Sequence, residues 1–282
     1  MKVGMIISNA PRAEMADVAR RADELGFDSL WAGEHVVLPF ETDEEHPYGR
    51  PGVVQPHNDT LAPFVQLAFL AGVTRRIRLA TGVILPPIRN LFATARDIAT
   101  LDVYSNGRVD VGVGVGWHEG EFKLMGADFA TRGPYTDEFI DALKVLFTER
   151  NPSFSGRHIA FPPVGFEPKP VQRPQPPVLV GGDTGPAMRR AAARGDGWYG
   201  HANTPEQARE RIGKMLGLVR EAGRDPAAFQ IVLQVWEPPG PEDLEAYYAA
   251  GAHRVVCAPF SAKDADPVGI VEAYAARIGL KG

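Results

Sequence analysis

The hydrophobic pattern of the chain alternates short apolar runs with amphipathic stretches along its whole length. The apolar runs predict strands at 2–7, 28–32, 76–85, 108–116, 177–182, 197–201, 230–236 and 253–259. The intervening stretches predict helices at 12–25, 60–71, 91–105, 135–148, 185–194, 205–222, 241–250 and 266–278. Several runs are continuously apolar, which is typical of parallel strands buried on both faces. Eight βα units in 282 residues favour one (β/α)₈ TIM-barrel domain over 1–282, with an open doubly wound sheet as the alternative.

Long stretches interrupt this alternation and predict insertions after strand 2, after strand 4 and before strand 5. Residues 33–59 follow strand 2, and the proline-rich residues 150–177 precede strand 5. Long loops in a compact domain are usually functional or disordered. The first insertion lies on the face where barrels place their active sites. The second insertion starts on the opposite face of the barrel, and it reaches the active-site face only if it runs along the outside of the barrel.

Helix 2 is apolar on all sides, because Gln66 is the only polar side chain between Leu61 and Ala71. An outer helix of a barrel needs only one apolar face, so this helix requires a second cover. A long loop of the same chain is one candidate. We favour the other, a homodimer formed through helices 2 and 3.

The composition of the chain limits the classes of molecule that it is expected to bind. The hydrophobic fraction of 44% and the charged fraction of 23% are typical of a globular protein, and a net charge of −5 argues against non-specific nucleic-acid or membrane binding. Cys257 is the sole cysteine, which excludes an intrachain disulfide. The first apolar run is shorter than a signal-peptide core. We expect a cytoplasmic protein with a small-molecule substrate.

Candidate chemistry follows the strands, since active groups of barrels lie just past the C-terminal strand ends. His35, beside Glu34, is a candidate for proton transfer, because histidine is the side chain type most suited to it near neutral pH, although a structural histidine is the alternative. The glycines at 181, 182 and 185 precede a helix and suit a phosphate, or else form only a tight turn. His118 and Glu119 have no third ligand at a recognisable spacing, so no metal site is expected.

Residues 79–122 carry the most specific pattern, LATGVILPPIRN followed by ATLDVYSNGRVDVGVGVGWHEGEF. This segment resembles the signature region of the luciferase-like flavin and deazaflavin oxidoreductases, and residues 22–39 and 167–200 resemble further parts of that family. The overall pattern is closest to the branch that depends on coenzyme F420. Val115 stands where some sugar-phosphate dehydrogenases of that branch carry a glutamate, so a sugar phosphate is not the expected substrate.

The resemblance implies a hydride carrier across the barrel mouth, with His35 as the catalytic residue. The residues expected to contact this carrier are Glu34, Thr81, Gly82, Val83, Asn90, Gly114, Val115 and Gly116 around the ring, and Gly181, Gly182, Asp183 and Thr184 at the phosphate. It also implies a cis peptide bond at Gly82–Val83, with an ordinary trans bond as the alternative. The expected function is an F420-dependent oxidoreductase. The alternatives are an FMN-dependent monooxygenase and a non-catalytic flavin-binding protein.

Overall fold

Eight parallel strands close into a barrel in the computed structural model, which describes residues 1–8, 10–42, 44, 60–259, 261 and 263–281. The barrel strands are β1 (Val3–Ile6), β2 (Ser29–Ala32), β3 (Arg78–Thr81), β4 (Val109–Val113), β7 (Val178–Gly181), β8 (Gly197–His201), β9 (Gln230–Gln234) and β10 (Arg254–Cys257). A separate antiparallel hairpin consists of β5 (Phe154–Ser155) and β6 (Ala160–Phe161). The predicted (β/α)₈ barrel is confirmed.

Helices follow the barrel strands and form the outer layer. They are α1 (Met15–Leu25), α2 (Pro63–Val73), α3 (Leu91–Ser105), α4 (Glu119–Leu124), α5 (Arg132–Thr148), α6 (Gly185–Arg194), α7 (Pro205–Glu221), α8 (Pro241–Ala249) and α9 (Pro267–Arg277). The bounds of α3 match the prediction at both ends. The hydrophobic pattern did not predict α4, because six residues are too short for a helical period to emerge.

Side chains fill the barrel interior in layers. The middle layer is an apolar cluster of Trp31, Ala80, Leu179, Tyr199, Val232 and Val256. Below it, the fully buried Asp110 binds Arg78 at 2.6 Å and Arg254 at 2.9 Å. Burial opposes the charge of Asp110, but the hydrogen bonds and charges of the two arginines outweigh it and hold the pKa of this carboxyl below its ordinary value. The closed lower end leaves the C-terminal end of the strands as the open mouth.

The predicted insertion before the fifth barrel strand, which is β7, runs along the outside of the barrel toward the mouth. Glu138, in the first half of α5, accepts hydrogen bonds from the backbone N–H groups of 157–159 at the tip of the hairpin. Phe161 packs edge-on against Phe92 in the first turn of α3, with 5.1 Å between ring centroids. Lys169 then donates to carbonyls at the end of α5. The proline-rich stretch therefore rises between α3 and α5 and returns to the start of β7. Residues 43 and 45–59, within the insertion after strand 2, lie outside the described residues.

Helix α2 carries its apolar residues on both faces. Val65 and Phe69 are 72% and 54% exposed, whereas Gln66 faces the core with only 4% exposure. Its Nε2 donates to Ile7 O at 3.4 Å. The outward face of α2 is thus apolar and uncovered by the described residues. None of the helices in the described ranges has the length and apolarity needed to cross a membrane.

Candidate active site

His35 lies at the barrel mouth just past β2, where a buried glutamate holds it. Its Nδ1 lies 2.7 Å from Glu121 Oε2, and the other carboxylate oxygen accepts a hydrogen bond from Val36 N at 2.7 Å. Glu121 comes from α4, and only 1% of its side chain is exposed, against 16% for His35. A carboxylate can only accept, so Glu121 accepts a hydrogen bond from the Nδ1–H group of His35. The other ring nitrogen, Nε2, is therefore the one at which His35 can exchange a proton.

Glu34, predicted to contact the cofactor, uses its carboxylate within the protein. Oε2 accepts a hydrogen bond from Leu85 N at 2.8 Å, and Arg89 Nε lies 2.8 Å from Oε1. The guanidinium of Arg89 also lies over the ring of Phe64, 4.9 Å from its centroid. Glu34 thereby fixes the loop after β3 against the end of β2. A contact between its side chain and a cofactor stays a prediction.

The chain after β3 forms the floor of the mouth. Thr81 Oγ1 donates to Gly112 O at 2.8 Å, which ties β3 to β4. One residue further along, the peptide bond between Gly82 and Val83 is cis, as the family resemblance implied. Val83 then packs against the apolar cluster of the barrel interior. Thr81 is therefore a structural contact between strands, and Val83 is the side chain that this segment presents to the mouth.

Glycines on neighbouring strands make room for Val83. A Cβ on Gly114 would lie 2.5 Å from Val83 Cγ2, and one on Gly181 would lie 3.0 Å from Val83 Cγ1. Gly112 is equally constrained, because a Cβ there would lie 1.9 Å from Thr81 O. Interiors are packed too closely to absorb such contacts without shifts. The glycine-rich end of β4 is thus required by the packing of the segment after β3, independently of any ligand.

An aromatic pair lies beneath this floor. The rings of Trp31 and Tyr199 stack with centroids 4.7 Å apart and planes inclined by 8°. Tyr199 Oη donates to Gln234 Oε1 at 3.0 Å, and a Cβ on Gly82 would lie 3.3 Å from the same hydroxyl. The phenol therefore reaches the level of the cis peptide, and β8 and β9 contribute side chains where β3 and β4 contribute backbone.

The predicted phosphate site lies where β7 meets the first turn of α6; its residues are Gly181, Gly182, Asp183 and Thr184. Thr184 Oγ1 accepts a hydrogen bond from Ala187 N at 3.4 Å and caps the helix. Pro186, in the first turn, has no N–H to offer. Pro186 therefore adds no backbone donor at this helix N-terminus, and phosphate binding by residues 181–184 stays a prediction.

Two arginines that the sequence analysis did not single out lie beside this turn. Arg211, from α7, pairs with Asp183 Oδ2 at 3.2 Å. Arg189 Nη1 lies 3.3 Å from the position that a Cβ on Gly185 would occupy. Guanidinium groups bind phosphate oxygens through paired N–H donors. These side chains supply positive charge at the start of α6, where the prediction relied on the backbone alone.

The remaining predicted cofactor residues lie in the loops after β3 and β4. Asn90 is exposed, and its Oδ1 accepts a hydrogen bond from Ala93 N at 3.0 Å to cap α3. Gly116 has a φ of 81°, and a Cβ there would lie 2.5 Å from Phe122. Val115, which precedes Gly116 in the chain, is partly buried. Asn90 and Gly116 therefore have structural roles, and their contact with a cofactor stays a prediction.

Glu121 is a candidate functional residue to which the sequence analysis assigned no role, although it stands within the family motif. It pairs with His35 across 86 positions of the chain, which no local pattern reveals. His118, 2% exposed, accepts a hydrogen bond from Glu121 N at 3.3 Å and so belongs to the same structure. Within the described ranges, no group of three His, Cys, Asp or Glu residues could hold a metal ion.

The chain belongs to the luciferase-like monooxygenase family, whose model matches residues 1–270. It is 32% identical over 286 residues to an uncharacterized protein of Mycobacterium tuberculosis, with 99% of both chains covered. It is also 31% identical over 169 residues to the oxygenase component of the flavin-dependent trigonelline monooxygenase of Acinetobacter baylyi. That alignment covers 59% of this chain and 42% of the Acinetobacter protein.

The same fold occurs in a solved structure, the coenzyme F420-dependent tetrahydromethanopterin reductase from Methanopyrus kandleri. The TM-score is 0.79 at 15% identity, and 99% of both chains is covered. At this identity the likeness shows the fold alone. The family resemblance read from the sequence is confirmed, and proteins similar to this chain include both a reductase and a monooxygenase.

Proposed function

We propose that the chain is an oxidoreductase that transfers a hydride between coenzyme F420 and a small organic substrate. The observation that carries this proposal is the His35–Glu121 pair at the edge of a mouth whose floor is backbone and Val83. When an alcohol is oxidised, the hydride leaves carbon and the hydroxyl proton must go to a base. When a carbonyl is reduced, both steps run backwards and an acid must supply that proton.

His35 can serve in both directions. In the oxidation its Nε2 takes the hydroxyl proton, and the resulting imidazolium is stabilised by the negative charge of Glu121 at Nδ1. In the reduction the imidazolium returns this proton to the developing alkoxide. Glu121 keeps the ring in one orientation throughout, because its second oxygen is fixed by Val36 N.

The residues present also fit the shape of a flat redox ring with a phosphate arm. Gly33 and Gly82 are partly exposed at the mouth and carry no side chain, so a ring can approach the backbone there closely. Arg189 and Arg211 would hold the phosphate with the backbone of 181–184. When bound, the coenzyme supplies the hydride chemistry, and the protein supplies orientation and the proton.

The second candidate is an FMN-dependent monooxygenase that uses reduced flavin and oxygen. It is favoured by the 31% identity with the oxygenase component of the flavin-dependent trigonelline monooxygenase. The fold shared with the F420-dependent reductase supports the first candidate instead. Both coenzymes combine a planar tricyclic ring with a phosphate, so the same residues of the mouth support either candidate.

Titration of the purified protein with F420 and with FMN tests the proposal. We expect the absorbance spectrum of F420 to shift with saturation, and F420 to bind more tightly than FMN. Equal or tighter binding of FMN would replace the proposal with the monooxygenase. Binding without turnover of any alcohol, carbonyl or oxygen would favour a non-catalytic flavin-binding protein.

We also propose a homodimer formed through α2 and α3. The exposed apolar residues Val65, Phe69, Phe92 and Tyr104 lie on these two helices, which pack against each other. Exposed apolar surface of this kind marks contact sites. Light scattering at micromolar concentration should give twice the mass of 30.6 kDa, and the double variant Val65→Asp, Phe69→Asp should give the single mass. A monomeric parent protein would contradict the proposal.

A further inference from the structure

Gln234, at the C-terminal end of β9, places its carboxamide in the mouth of the barrel. Val232, two positions earlier on the same strand, belongs to the apolar cluster of the barrel interior, and strand side chains alternate between the two faces. The side chain of Gln234 therefore lies on the interior face, one layer above that cluster. Its hydrogen bond with Tyr199 agrees with this placement, because Tyr199 is itself a member of the cluster.

Tyr199 uses only half of this carboxamide. The tyrosine is 6% exposed, and a buried hydroxyl group normally has a partner, which Gln234 Oε1 provides as the acceptor. Gln234 Nε2 carries two N–H donors, and it makes no hydrogen bond to another residue in the part of the chain that the structure describes. Gln234 is only partly buried, so these donors can reach a molecule bound in the mouth. A purely structural role accounts for the oxygen of the carboxamide and leaves its nitrogen unused.

The carboxamide lies beside the surface that is proposed to carry the coenzyme ring. A Cβ on Gly82 would lie 3.3 Å from Tyr199 Oη, so the phenol reaches the level of the segment after β3. Gln234 Oε1 lies 3.0 Å from the same hydroxyl, which places the carboxamide next to that segment. Gly82 and Val83 are both partly exposed there. A flat ring bound over Gly82 and Val83 would therefore have the carboxamide of Gln234 within reach.

We propose that Gln234 binds the pyrimidinedione edge of the coenzyme ring, an inference that rests on the proposed function. F420 and FMN share this edge, which carries the N3–H donor between two carbonyl acceptors. A carboxamide matches it, because its nitrogen donates to a carbonyl while its oxygen accepts from N3–H, as glutamine does at the donor and acceptor edge of adenine. Gln234 Oε1 keeps one lone pair for this contact after it accepts from Tyr199. Tyr199 is then a positioning residue, because its hydrogen bond fixes the orientation of the carboxamide.

Absorbance titrations with FMN and with 3-methyl-FMN test this contact, because the methyl group replaces only the hydrogen on N3. We expect the parent protein to bind FMN roughly 5- to 10-fold more tightly than 3-methyl-FMN, as the loss of one hydrogen bond predicts. Gln234→Leu should weaken FMN binding by a similar factor and abolish the preference for FMN over its methylated form. The same variant should weaken the binding of F420 as well, because F420 carries the same edge.

Two further variants separate this role from a general effect on the barrel. Gln234→Glu keeps an oxygen that accepts from Tyr199 but, when ionised, has no N–H to donate. It should therefore bind F420 and FMN at least as weakly as Gln234→Leu. Gln230→Leu is the matched control, because Gln230 is a partly buried glutamine at the opposite end of the same strand. Its coenzyme affinity should equal that of the parent protein.

The titrations distinguish failure of this contact from failure of the proposed function. If the parent protein binds neither F420 nor FMN, the proposed function fails, and the role of Gln234 fails with it. If a coenzyme binds, the role of Gln234 alone is overturned when Gln234→Glu binds as tightly as the parent, or when Gln230→Leu loses as much affinity as Gln234→Leu. A preference for FMN over 3-methyl-FMN that survives in Gln234→Leu also overturns it. If only F420 binds, the same three variants decide the question with F420. Each variant is checked for an unchanged unfolding midpoint, so that a loss of fold is not counted as a loss of binding.

Discussion

The two sides of the barrel mouth are built differently. One side, which we call the glycine side, lies at the ends of β2, β3, β4 and β7, where the chain has glycine at positions 33, 82, 114 and 181. The other side, which we call the side-chain side, lies on β8 and β9, where Tyr199, His201 and Gln234 contribute polar side chains. The first side is therefore shaped by the segment after β3, with Val83 in the space that the glycines leave. The second is shaped by hydrogen bonds, including the one that Tyr199 Oη donates to Gln234 Oε1.

Because of this difference, one side of the mouth can provide a surface for a ring, and acid–base groups must come from elsewhere. The glycine side can present a flat surface to a ring, but glycine offers no acid, base or charge. The chemistry on that side must come from a loop, and the proposed source is His35, just past β2, which contacts Glu121 of α4. The side-chain side carries its own polar groups and needs no such supplement. We therefore expect changes at His35 to affect catalysis and changes at the glycines to affect packing.

The largest expected effect is that of His35→Ala on turnover. Removal of a general acid–base group typically lowers the rate by about 10²- to 10⁴-fold. Coenzyme affinity should change little, because the proposed coenzyme contacts are mainly backbone. Steady-state turnover and an absorbance titration measure the two quantities separately. If turnover stayed unchanged, the proton would have to come from the side-chain side, and the division of the mouth would be wrong.

Glu121→Gln should have the next largest effect. A neutral amide cannot stabilise the imidazolium of His35, and loss of a charge-assisted hydrogen bond predicts a fall in turnover of roughly 10- to 100-fold. The readout that distinguishes positioning from mere stability is the NMR signal of the Nδ1 proton of His35, which should move in this variant. Glu119→Gln, an exposed acid on the same helix, should leave both the signal and turnover unchanged. Similar losses in the two variants would argue for a general effect on α4.

The sequence predicts the barrel and the glycine side better than the side-chain side. Continuous apolar runs identify the eight strands, and the helix predicted over 91–105 matches α3 at both ends. In the structure Asn90 caps the start of α3, and Asn106 adopts a left-handed conformation at its end. The run predicted through 85 overshoots β3, which ends at Thr81, because the apolar residues after it serve the floor of the mouth rather than the strand. The hairpin of β5 and β6 escapes prediction because two-residue strands show no alternation.

The parts of the site that depend on contacts between distant segments could not be predicted. The pairing of Glu121 with His35 and that of Arg211 with Asp183 each join two separate elements. Glu34 is a further example: the family resemblance implied a cofactor contact, which stays a prediction, and gave no sign that Arg89, 55 positions away, binds its carboxylate. Position along a strand locates a side chain at the mouth, but its partner decides what the side chain does.

Gly114→Ala tests the packing of the glycine side. The new Cβ would lie 2.5 Å from Val83 Cγ2, so the free energy of unfolding should fall by about 1–3 kcal/mol, as overpacking of a core predicts. Val83→Ala in the same chain removes the clashing methyl group and should restore part of this loss. Urea unfolding of both single variants and the double variant gives the coupling. Additive losses would show that Gly114 does not contact Val83, and the proposed reason for the glycine would fail.

Tyr199→Phe gives the smallest expected effect and tests the side-chain side directly. The variant keeps the stacked ring on Trp31 and removes only the hydroxyl that donates to Gln234 Oε1. Gln234 is partly exposed, so water can replace the lost donor, and the free energy of unfolding should fall by about 0.5–1.5 kcal/mol. Turnover should fall less than in Glu121→Gln, because the proposed proton comes from His35. If Tyr199→Phe instead lowered turnover by the factor expected for His35→Ala, the phenol would be the proton donor. The chemistry would then lie on β8, with the His35–Glu121 pair left to hold the loop after β2 in place.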